Sequence, residues 1–359
     1  MKNLSLIIVL TFIYSLSLNA KIFTVSNIGG ANFSNLTDAY NAAVDDDTIY
    51  IEATNINYGD LLNINKRLTW VGIGINPGTD DVHQSIIRRM SINTGASGSK
   101  FFGIYFFEYL STDPATGPIT NLLIESCHFR LYIDFGDVPV QNSTVRNCVF
   151  TRYSSNRFDD WRSIYFHNPD SVQNQSTINL TNCYFISSVN GANNPHNLLV
   201  FDHCIFAEER FQDVQGALIT NSIFYYLYGS GSTPSSAFGG INNIFLNNII
   251  RQNASLGLSN TGSGNMFNTD PLFVNDGNNN YLWSASEDYN LQPGSPGIGA
   301  ATDSTDIGIH GGDSNFSNSG ETLWIPIVRS SSFQGSVIPL VQPGDTIQLQ
   351  IKASRPSID

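Results

Sequence analysis

The residues best suited to chemistry lie between Phe150 and Thr177, in a stretch that interrupts a regular repeat. Long irregular segments are uncommon in compact domains and often carry function. An indole can stack on a sugar ring, and guanidinium groups pair with the carboxylates of a sugar acid. The side chains of this kind are Arg152, Arg157, Asp159, Asp160, Trp161, Arg162, His167 and Asp170. The pattern predicts a glycan-binding excursion; the alternative is a surface loop whose aromatic side chains fold back onto the body of the protein.

Three further candidates, His128, Arg130 and Arg146, lie in the repeats before this excursion. A lyase that cleaves uronate chains needs a base active near neutral pH and a cation that neutralises the uronate carboxylate. A polysaccharide lyase or glycoside hydrolase is therefore the alternative function. Arg146 also shares its repeat position with Glu125, and an exposed ion pair between neighbouring strands is the favoured explanation for these two residues. The predicted substrate-binding residues are Arg130, Arg146, Arg152, Asp160, Trp161, Arg162 and His167.

The sequence contains no recognisable catalytic set. The nucleophile elbow Gly-x-Ser-x-Gly does not occur. Asp159 and Asp160 are adjacent, and adjacent side chains of a strand point to opposite sides, whereas an inverting hydrolase needs carboxylates that face each other. No two cysteines have the C-x-x-C spacing of a zinc site. We expect neither metal nor cofactor; a Ca²⁺ loop at Asp45–Asp47 is the alternative to a simple turn there.

Charged residues are scarce in this chain of 359 residues. Lys and Arg number 17 and Asp and Glu 30, which makes 13% charged residues and a net charge of −13. An average globular domain has about 25% charged residues. The negative charge repels nucleic acid and anionic membrane surfaces. We expect an extracellular polysaccharide or a cell-surface glycan as the partner.

A hexamer of the form apolar-x-Asn-Cys-x-Phe returns along the middle of the chain. Its central Cys is Cys127, Cys148, Cys183 or Cys204, and weaker copies carry Ser222 and Asn248 at that position. A degenerate first copy covers residues 101–106. The mean period is about 24 residues, and the apolar residues alternate as they do in strands. This pattern predicts a solenoid with one short strand per repeat.

Stacked coils place equivalent side chains about 4.8 Å apart, so inward residues form ladders along the axis. We expect Cys and Phe to face inward, with a ladder of Phe129, Phe150, Phe185, Phe206 and Phe224. The Asn before each Cys is expected at a bend, where its amide bonds the next coil. Equivalent Cβ atoms about 4.8 Å apart are just too distant for disulfides. Four free, buried thiols are therefore favoured over disulfides, which an exported protein would otherwise suggest, or a metal site.

The first twenty residues have the pattern of a secretory signal peptide. Lys2 precedes an apolar run over residues 6–16, and small polar residues lead to Lys21. The run is shorter than the roughly 20 residues of a membrane span. We therefore predict a signal peptide at 1–20, a secreted or cell-surface location, and no spanning segment after cleavage.

A short helix is predicted after the opening strand, within residues 33–44. Ser34 or Asn35 provides the N-cap, and Asp45–Asp47 turns the chain into the next strand. One helix face is apolar, consisting of Leu36, Ala39, Tyr40 and Ala43. Such a helix would cover the open end of the solenoid.

These features resemble the pectate-lyase-like, right-handed parallel β-helix proteins that bacteria secrete. The resemblance rests on residues 36–72, on the repeats, and on the stretches 270–273, 288–299 and 306–312, which resemble closing coils. It implies an all-β, right-handed parallel β-helix over residues 21–313. It does not imply an activity, because this fold carries lyases, hydrolases, adhesins and stalks.

Residues 314–359 read as a linker followed by a short β-rich tail. Strand-like segments cover 324–328, 337–341 and 346–353, with a turn at Pro343-Gly344-Asp345. The sequence thus predicts a secreted or cell-surface β-helix protein that binds glycans or serves a structural, adhesive role.

Overall fold

The computed structural model describes most of the chain after the predicted signal peptide. The described ranges are 20–54, 56–75, 84–112, 115–136, 138–151, 162–166, 175–186, 188–190, 197–207, 214–225, 238, 240–257, 259–277, 283–284, 286–313, 316–317, 327–333 and 349–354. The predicted signal peptide therefore lies outside the described residues, apart from Ala20.

Two long parallel sheets dominate these ranges. The first sheet has eleven strands, stacked in chain order: Ile22–Val25, Thr48–Ile51, Thr69–Val71, Lys100–Phe102, Leu123–Glu125, Ser143–Arg146, Thr177–Thr181, Leu198–Asp202, Leu218–Thr220, Ile244–Leu246 and Thr261–Ser263. Each coil of the chain contributes one strand to it, as the repeat predicts.

The second sheet has thirteen strands, again all parallel. They are Asp60–Ile64, Ile86–Ile92, Tyr105–Ser111, His128–Phe129, Tyr132–Phe135, Val149–Phe150, Arg162–Phe166, Tyr184–Phe185, Ser188–Asn190, Ile205–Phe206, Ile223–Phe224, Ile249–Ile250 and Met266–Phe267. A small parallel pair, Ile119–Thr120 with Val140–Gln141, lies between coils. The described coils form a parallel β-helix. Crossovers between parallel strands are right-handed in about 98% of cases, and a right-handed helix is the one that the sequence predicts.

Each hexamer forms a corner between the two sheets instead of the single predicted strand. Ser143–Arg146 belongs to the first sheet and Val149–Phe150 to the second. Asn147, which joins them, has φ 53°, a left-handed conformation that Asn tolerates better than most residues. The equivalent residues Ser126, Asn182, His203, Asn221 and Asn247 have φ between 50° and 54°. The predicted bend is confirmed, and the hexamer supplies strands to both sheets because the chain turns there.

Phenylalanine rings stack along the interior as predicted, and Phe106 extends their ladder by one coil. Phe106, Phe129, Phe150, Phe185, Phe206 and Phe224 are separated by successive centroid distances of 4.9, 5.0, 4.9, 5.2 and 4.6 Å. All six rings are fully buried. Burying each ring contributes roughly 1.5 to 3 kcal/mol, so the ladder holds neighbouring coils in register.

The four cysteines occupy one inward position and are free, buried thiols. The thiol of Cys204 donates to the Leu180 carbonyl of the preceding coil at 3.4 Å. Later coils continue the column with polar side chains: the Ser222 hydroxyl accepts from the Cys204 amide at 3.0 Å, and the Asn248 side chain accepts from the Ser222 amide at 2.8 Å. Each side chain in this column thus satisfies a backbone group of the coil before it.

The predicted N-terminal helix is Leu36–Ala42, and Asn35 is its N-cap, whose side chain accepts from the Asp38 amide. Leu36 and Ala39 are buried in the main core. The acidic turn that follows is held by its own contacts: Asp47 accepts from the Val44 amide at 2.8 Å, and Asp46 pairs with Arg67 at 2.6 Å. A 3₁₀ helix, Thr94–Ala96, lies between two later coils.

The described residues within 271–313, here called the strap, pack on the outside of the solenoid, where the sequence predicted closing coils. Within the strap, Phe273–Asn275 pairs antiparallel with Asp288–Leu291. Its buried side chains form a second core with the outward row of the second sheet, which includes Tyr184, Ile205, Ile223 and Ile249. At Gly308 a Cβ would lie 2.7 Å from Ile223 Cδ1, and φ is 102°, so only glycine allows this close approach.

Bend residues of the later coils hold the strap, whereas the sequence predicted that the amide at each bend bonds the next coil. Asn221 Nδ2 donates to Thr302 Oγ1 at 2.9 Å, and Asn182 Nδ2 donates to the carbonyls of Ile309 and Gly311 at 2.9 and 2.8 Å. Bend residues that come later in the sequence therefore contact strap residues that come earlier in the sequence. The strap runs back along the corner toward the N-terminal coils.

In the predicted tail, Ile327–Phe333 pairs antiparallel with Leu349–Ser354. These strands correspond to two of the three predicted segments with shifted bounds. The third, 337–341, lies outside the described residues.

Candidate functional site

One part of the second sheet carries aromatic and charged side chains on its outer face. In the strand Tyr105–Ser111, Phe106 and Leu110 are fully buried, whereas Tyr105, Phe107 and Tyr109 are only partly buried. The next coil repeats this arrangement. We call the set the aromatic-arginine surface; it comprises Arg88, Arg89, Tyr105, Phe107, Tyr109, His128, Arg130 and Tyr132.

The rings of this surface contact one another across adjacent coils. Tyr109 and Tyr132 stack with centroids 5.8 Å apart and planes 16° apart, because the strand register pairs them directly. Tyr105 lies 4.5 Å from the His128 ring, and its edge meets Phe107 at 6.4 Å. The result is a row of partly exposed rings on a rigid support. Such rings can stack on the apolar faces of sugars.

Arginines flank the rings. The Arg130 guanidinium lies over the Phe107 ring at 3.9 Å, a cation–π contact that orders its long side chain. Arg88 is bound by Asp60 through bonds of 2.7 and 2.6 Å, and Arg89 bonds the same carboxylate. Burial favours the neutral form of Asp60, but the hydrogen bonds from Arg89 and Arg88 hold its pKa below the usual value.

Positive and negative groups nearly balance on this face. Arg89 Nε also lies 3.6 Å from a Glu108 carboxylate oxygen, and Asp134 follows Tyr132 by two residues on the next coil. Three arginines thus accompany three carboxylates in a chain with a net charge of −13. An anionic ligand meets less repulsion here than the overall charge suggests.

His128 is a poor candidate for a catalytic base. Its Nε2 lies 2.8 Å from Thr151 Oγ1. Burial and the nearby charge of Arg130 lower its pKa to about 3. An imidazole with that pKa is uncharged and weakly basic at neutral pH. His128 therefore gives no support to a lyase mechanism in which it removes a proton.

The structure separates the two predicted arginines that precede the excursion. Arg130 belongs to the aromatic-arginine surface. Arg146 lies on the first sheet, where it pairs with Glu125 at 2.8 Å. Glu125 is 8% exposed, so the ion pair that the sequence favours forms, but with its carboxylate buried. Arg146 is not brought together with Arg130.

Most predicted residues of the excursion lie outside the described residues: Arg152, Asp160, Trp161 and His167. Arg162 begins the strand Arg162–Phe166, so the stretch predicted as an irregular excursion contains a strand of the second sheet. That strand pairs with Tyr132–Phe135, through Ile133 and Ile164. Thr151 at the start of the excursion contacts His128, and the strand Arg162–Phe166 within the excursion pairs with the strand that carries Tyr132.

Sequence reasoning missed Tyr105, Phe107, Tyr109 and Tyr132. A signal was present, because Tyr109 and Tyr132 are 23 residues apart, the same spacing that separates Phe106 from Phe129. Aromatic residues that repeat with the coil at outward positions indicate an exposed row. The hexamer ends at Phe129 and therefore did not include this part of the repeat.

Two further kinds of site were sought among the described residues. No cluster of three or more His, Cys, Asp or Glu side chains there could hold a metal ion. In the same ranges, no helix has the length and apolar character to cross a membrane.

No model of a known protein family matches this sequence, and neither does any curated protein. A fold alone does not identify a function. The function therefore has to be argued from the aromatic-arginine surface itself.

Proposed function

We propose that this protein is an exported β-helix protein that binds a uronate-containing polysaccharide on the aromatic-arginine surface. The observation that carries the proposal is the stacked pair Tyr109 and Tyr132, with partly exposed rings on consecutive coils. Because the coils repeat, the surface offers similar groups at regular intervals. A polymer of similar sugar units presents similar groups to each of them.

Rigidity favours binding at this face. The rings are attached to strands whose inward residues, among them Phe106, Phe129 and Ile133, are fully buried in the core. A preorganised surface loses little conformational entropy when a ligand binds. The same rigidity suits a structural or adhesive role at the cell surface, where a glycan would be the attachment point.

Exposed guanidinium groups support an acidic sugar over a neutral one. Arg88 keeps a side-chain exposure of 42% while it pairs with Asp60. Guanidinium groups recognise carboxylates through paired hydrogen bonds. Arg130, positioned over Phe107, is the second group that we expect to contact a uronate.

Isothermal titration with oligogalacturonate and with an uncharged oligosaccharide of equal length tests the proposal. We expect the acidic chain to bind the wild type at least tenfold more tightly than the neutral chain. The double variant Tyr109→Ala/Tyr132→Ala should lose at least tenfold in affinity. Tyr50→Ala is the matched control, because Tyr50 is a partly exposed outward tyrosine on the first sheet.

Two results would contradict the proposal. Unchanged affinity in the double variant would show that the ligand does not bind at the aromatic-arginine surface. Equal affinity for the two ligands would show that the protein does not prefer uronates. The same samples report on the lyase alternative, since unsaturated chain ends absorb ultraviolet light. Their appearance would show a catalytic activity that the proposal does not include.

A further inference from the structure

One of the bend residues that hold the strap is a histidine. Asn182, Asn221 and Asn247 contact the strap through neutral side-chain amides, whose hydrogen bonds do not depend on pH. His203 stands at the equivalent bend, with φ 51°, and is 1% exposed. Imidazole is the side chain that ordinarily gains or loses a proton between about pH 5 and pH 8. This contact between bend and strap can therefore differ from the others in its response to pH.

Both nitrogens of the His203 ring face carboxylates. Nδ1 lies 3.1 Å from Asp202 Oδ2, on the corner of the solenoid. Nε2 lies 3.7 Å from Asp303 Oδ2 and 3.1 Å from Thr305 Oγ1, and both of these atoms belong to the strap. The ring thus joins the corner to the strap, with a carboxylate on each side.

The hydrogen bonds of Thr305 determine the role of Nε2. The Thr305 hydroxyl donates its single proton to Asp303 Oδ1 at 2.6 Å and accepts from the Gly312 amide at 2.7 Å. Its oxygen can therefore bond Nε2 only as an acceptor. Nδ1 must donate as well, because an ionised carboxylate only accepts. An imidazole that donates from both nitrogens carries a positive charge.

The two flanking carboxyls favour their ionised forms. Burial opposes ionisation of Asp202, but hydrogen bonds, above all from His203, hold its pKa below the usual value. Burial likewise opposes ionisation of Asp303, whose pKa is lowered by hydrogen bonds from Thr305 and by the nearby charge of His203. Two carboxylates offset the cost of burying a cation between them.

The strap closes over the ring. A Cβ at Gly311 would lie 2.5 Å from His203 Cδ2, and one at Gly312 would lie 3.1 Å from Nδ1. Only residues without a side chain allow this approach, which keeps bulk water away from the ring. A third strap carboxylate, Asp306, accepts from the Gly299 amide at 2.9 Å. The neighbouring bends supply the uncharged Asn182 and Asn221.

We propose that His203 is a pH-sensitive latch, which holds the strap to the corner of the solenoid while its ring is protonated. When Nε2 loses its proton to solvent, its lone pair faces the Thr305 oxygen. The Thr305 hydroxyl then either stays opposed to this lone pair or donates to Nε2 and gives up its bond to Asp303. In both cases the attraction between a charged ring and the two carboxylates is lost.

The strap should therefore open more often as the pH rises. Gly308 of the strap packs against Ile223 and Ile205 in the outward row of the second sheet. Opening of the strap would expose this apolar row, which the closed strap covers. The latch thus links the pH of the surroundings to the accessibility of one face of the solenoid.

Hydrogen exchange of the full chain at about pH 5 and about pH 8, corrected for the intrinsic pH dependence of exchange, tests the inference. In the wild type, protection of the backbone amides over residues 301–312 should be at least fivefold lower at the higher pH. His203→Asn places at this bend the residue that the neighbouring bends carry. Its protection should be the same at both pH values.

Two strap variants form a matched pair. Asp303→Asn removes the charge that faces Nε2 but keeps an oxygen that accepts from Thr305, so the pH effect should become smaller. Asp306→Asn removes the same charge from the strap at a carboxylate bonded to the Gly299 amide, so the pH effect should remain. Circular dichroism of each variant establishes that the fold is retained.

Nuclear magnetic resonance of the imidazole nitrogens gives a second measurement, with the His203 signal assigned by its loss in His203→Asn. Protons on both nitrogens at about pH 5, together with a pH effect that His203→Asn abolishes, would support the latch. A neutral His203 ring at this pH would overturn it. Equal protection of the wild-type strap at both pH values, or a pH effect that persists in His203→Asn, would overturn it as well.

Discussion

Tyr109 and Tyr132 stack on consecutive coils, with their ring centroids 5.8 Å apart on the outside of the second sheet. Beside them in the same strands, Leu110 and Ile133 are paired in register and buried in the core. A spacing of 23 residues therefore produces an exposed aromatic row as well as the internal stack of Phe106 on Phe129. The architecture that stabilises the interior also orders the candidate binding surface.

The phenylalanine ladder predicts a large loss of stability when one ring is removed. Phe150 stacks between Phe129 and Phe185, at 5.0 and 4.9 Å. Phe150→Ala should lower the free energy of unfolding by about 3 to 5 kcal/mol, because the lost burial and the cavity both cost stability. Urea denaturation followed by circular dichroism measures this change.

Phe267→Ala is the matched control for that experiment. Phe267 continues the same column after Ile250, in the last described strand of the second sheet, and is 37% exposed. Phe267→Ala should lower the free energy of unfolding by less than half of the decrease caused by Phe150→Ala. Equal losses at the two positions would contradict the account of the ladder.

The cysteines should be unreactive until the protein unfolds. Burial raises the pKa of Cys127, Cys148 and Cys183 well above the usual value, and all four thiols are buried. The reactive thiolate is therefore scarce and inaccessible in the native state. Titration with an aromatic disulfide reagent should detect no thiol in the folded protein and four in guanidinium chloride. Fewer than four after unfolding would reveal disulfides and refute the free-thiol assignment.

The sequence predicted the repeat, the inward ladders and the capping helix because each depends on local patterns that recur every coil. Leu36 and Ala39, for example, are buried where the apolar helix face requires. The bend at Asn147 was predicted, but the assignment of the strands before and after it to two different sheets was not, because alternation of apolar residues continues through a bend. The course of the strap could not be predicted, since contacts such as Asn182 with Gly311 join residues far apart in the chain.

Asn221 should be a principal anchor of the strap. Its side chain donates to Thr302 and accepts from the Thr302 amide at 2.9 Å, while its φ is 50°. Asn221→Gly removes the anchor but permits the left-handed bend, whereas Asn221→Ala removes the anchor and strains the bend. Hydrogen exchange should therefore increase over residues 297–312 in both variants.

The two substitutions at Asn221 differ in their expected effect on stability. The alanine variant should be less stable than the glycine variant by about 1 to 2 kcal/mol, the cost of a left-handed residue with a Cβ. Unchanged exchange in the strap of both variants would show that this side chain does not hold it.

His128 should make the protein less stable in mild acid. Its pKa is about 3 in the folded state and about 6.5 when unfolded. The contribution of the neutral His128 side chain to the free energy of unfolding is therefore complete above pH 6.5. It declines as the pH falls toward 3, because the unfolded state binds the proton first. Between pH 7 and pH 5 the loss is about 2 kcal/mol.

His128→Gln removes this titration, because the amide stays neutral. Between pH 7 and pH 5 the free energy of unfolding should fall less in the variant than in the wild type. The difference between the two decreases should equal the loss attributed to His128. Parallel pH profiles for the two proteins would mean that His128 is protonated in the folded state or exposed to solvent.

Only part of the candidate site could be predicted from the sequence. Arg130 was predicted as a substrate-binding cation, and the structure places it over Phe107 on the aromatic-arginine surface; its role there stays a prediction. Arg146 was placed in the same set, but its Glu125 partner lies on the first sheet. Arg130 and Arg146 differ in the sheet beside which they lie. The position of the corner between the two sheets determines this difference.

Hydroxyl-radical footprinting with and without saturating oligogalacturonate tests the proposed surface most directly, because it reports on individual aromatic side chains. We predict protection of Tyr105, Phe107, Tyr109 and Tyr132, with no change at Tyr50 on the first sheet. Protection at Tyr50 with none at Tyr109 and Tyr132 would contradict the proposal and place glycan binding on the other face of the solenoid.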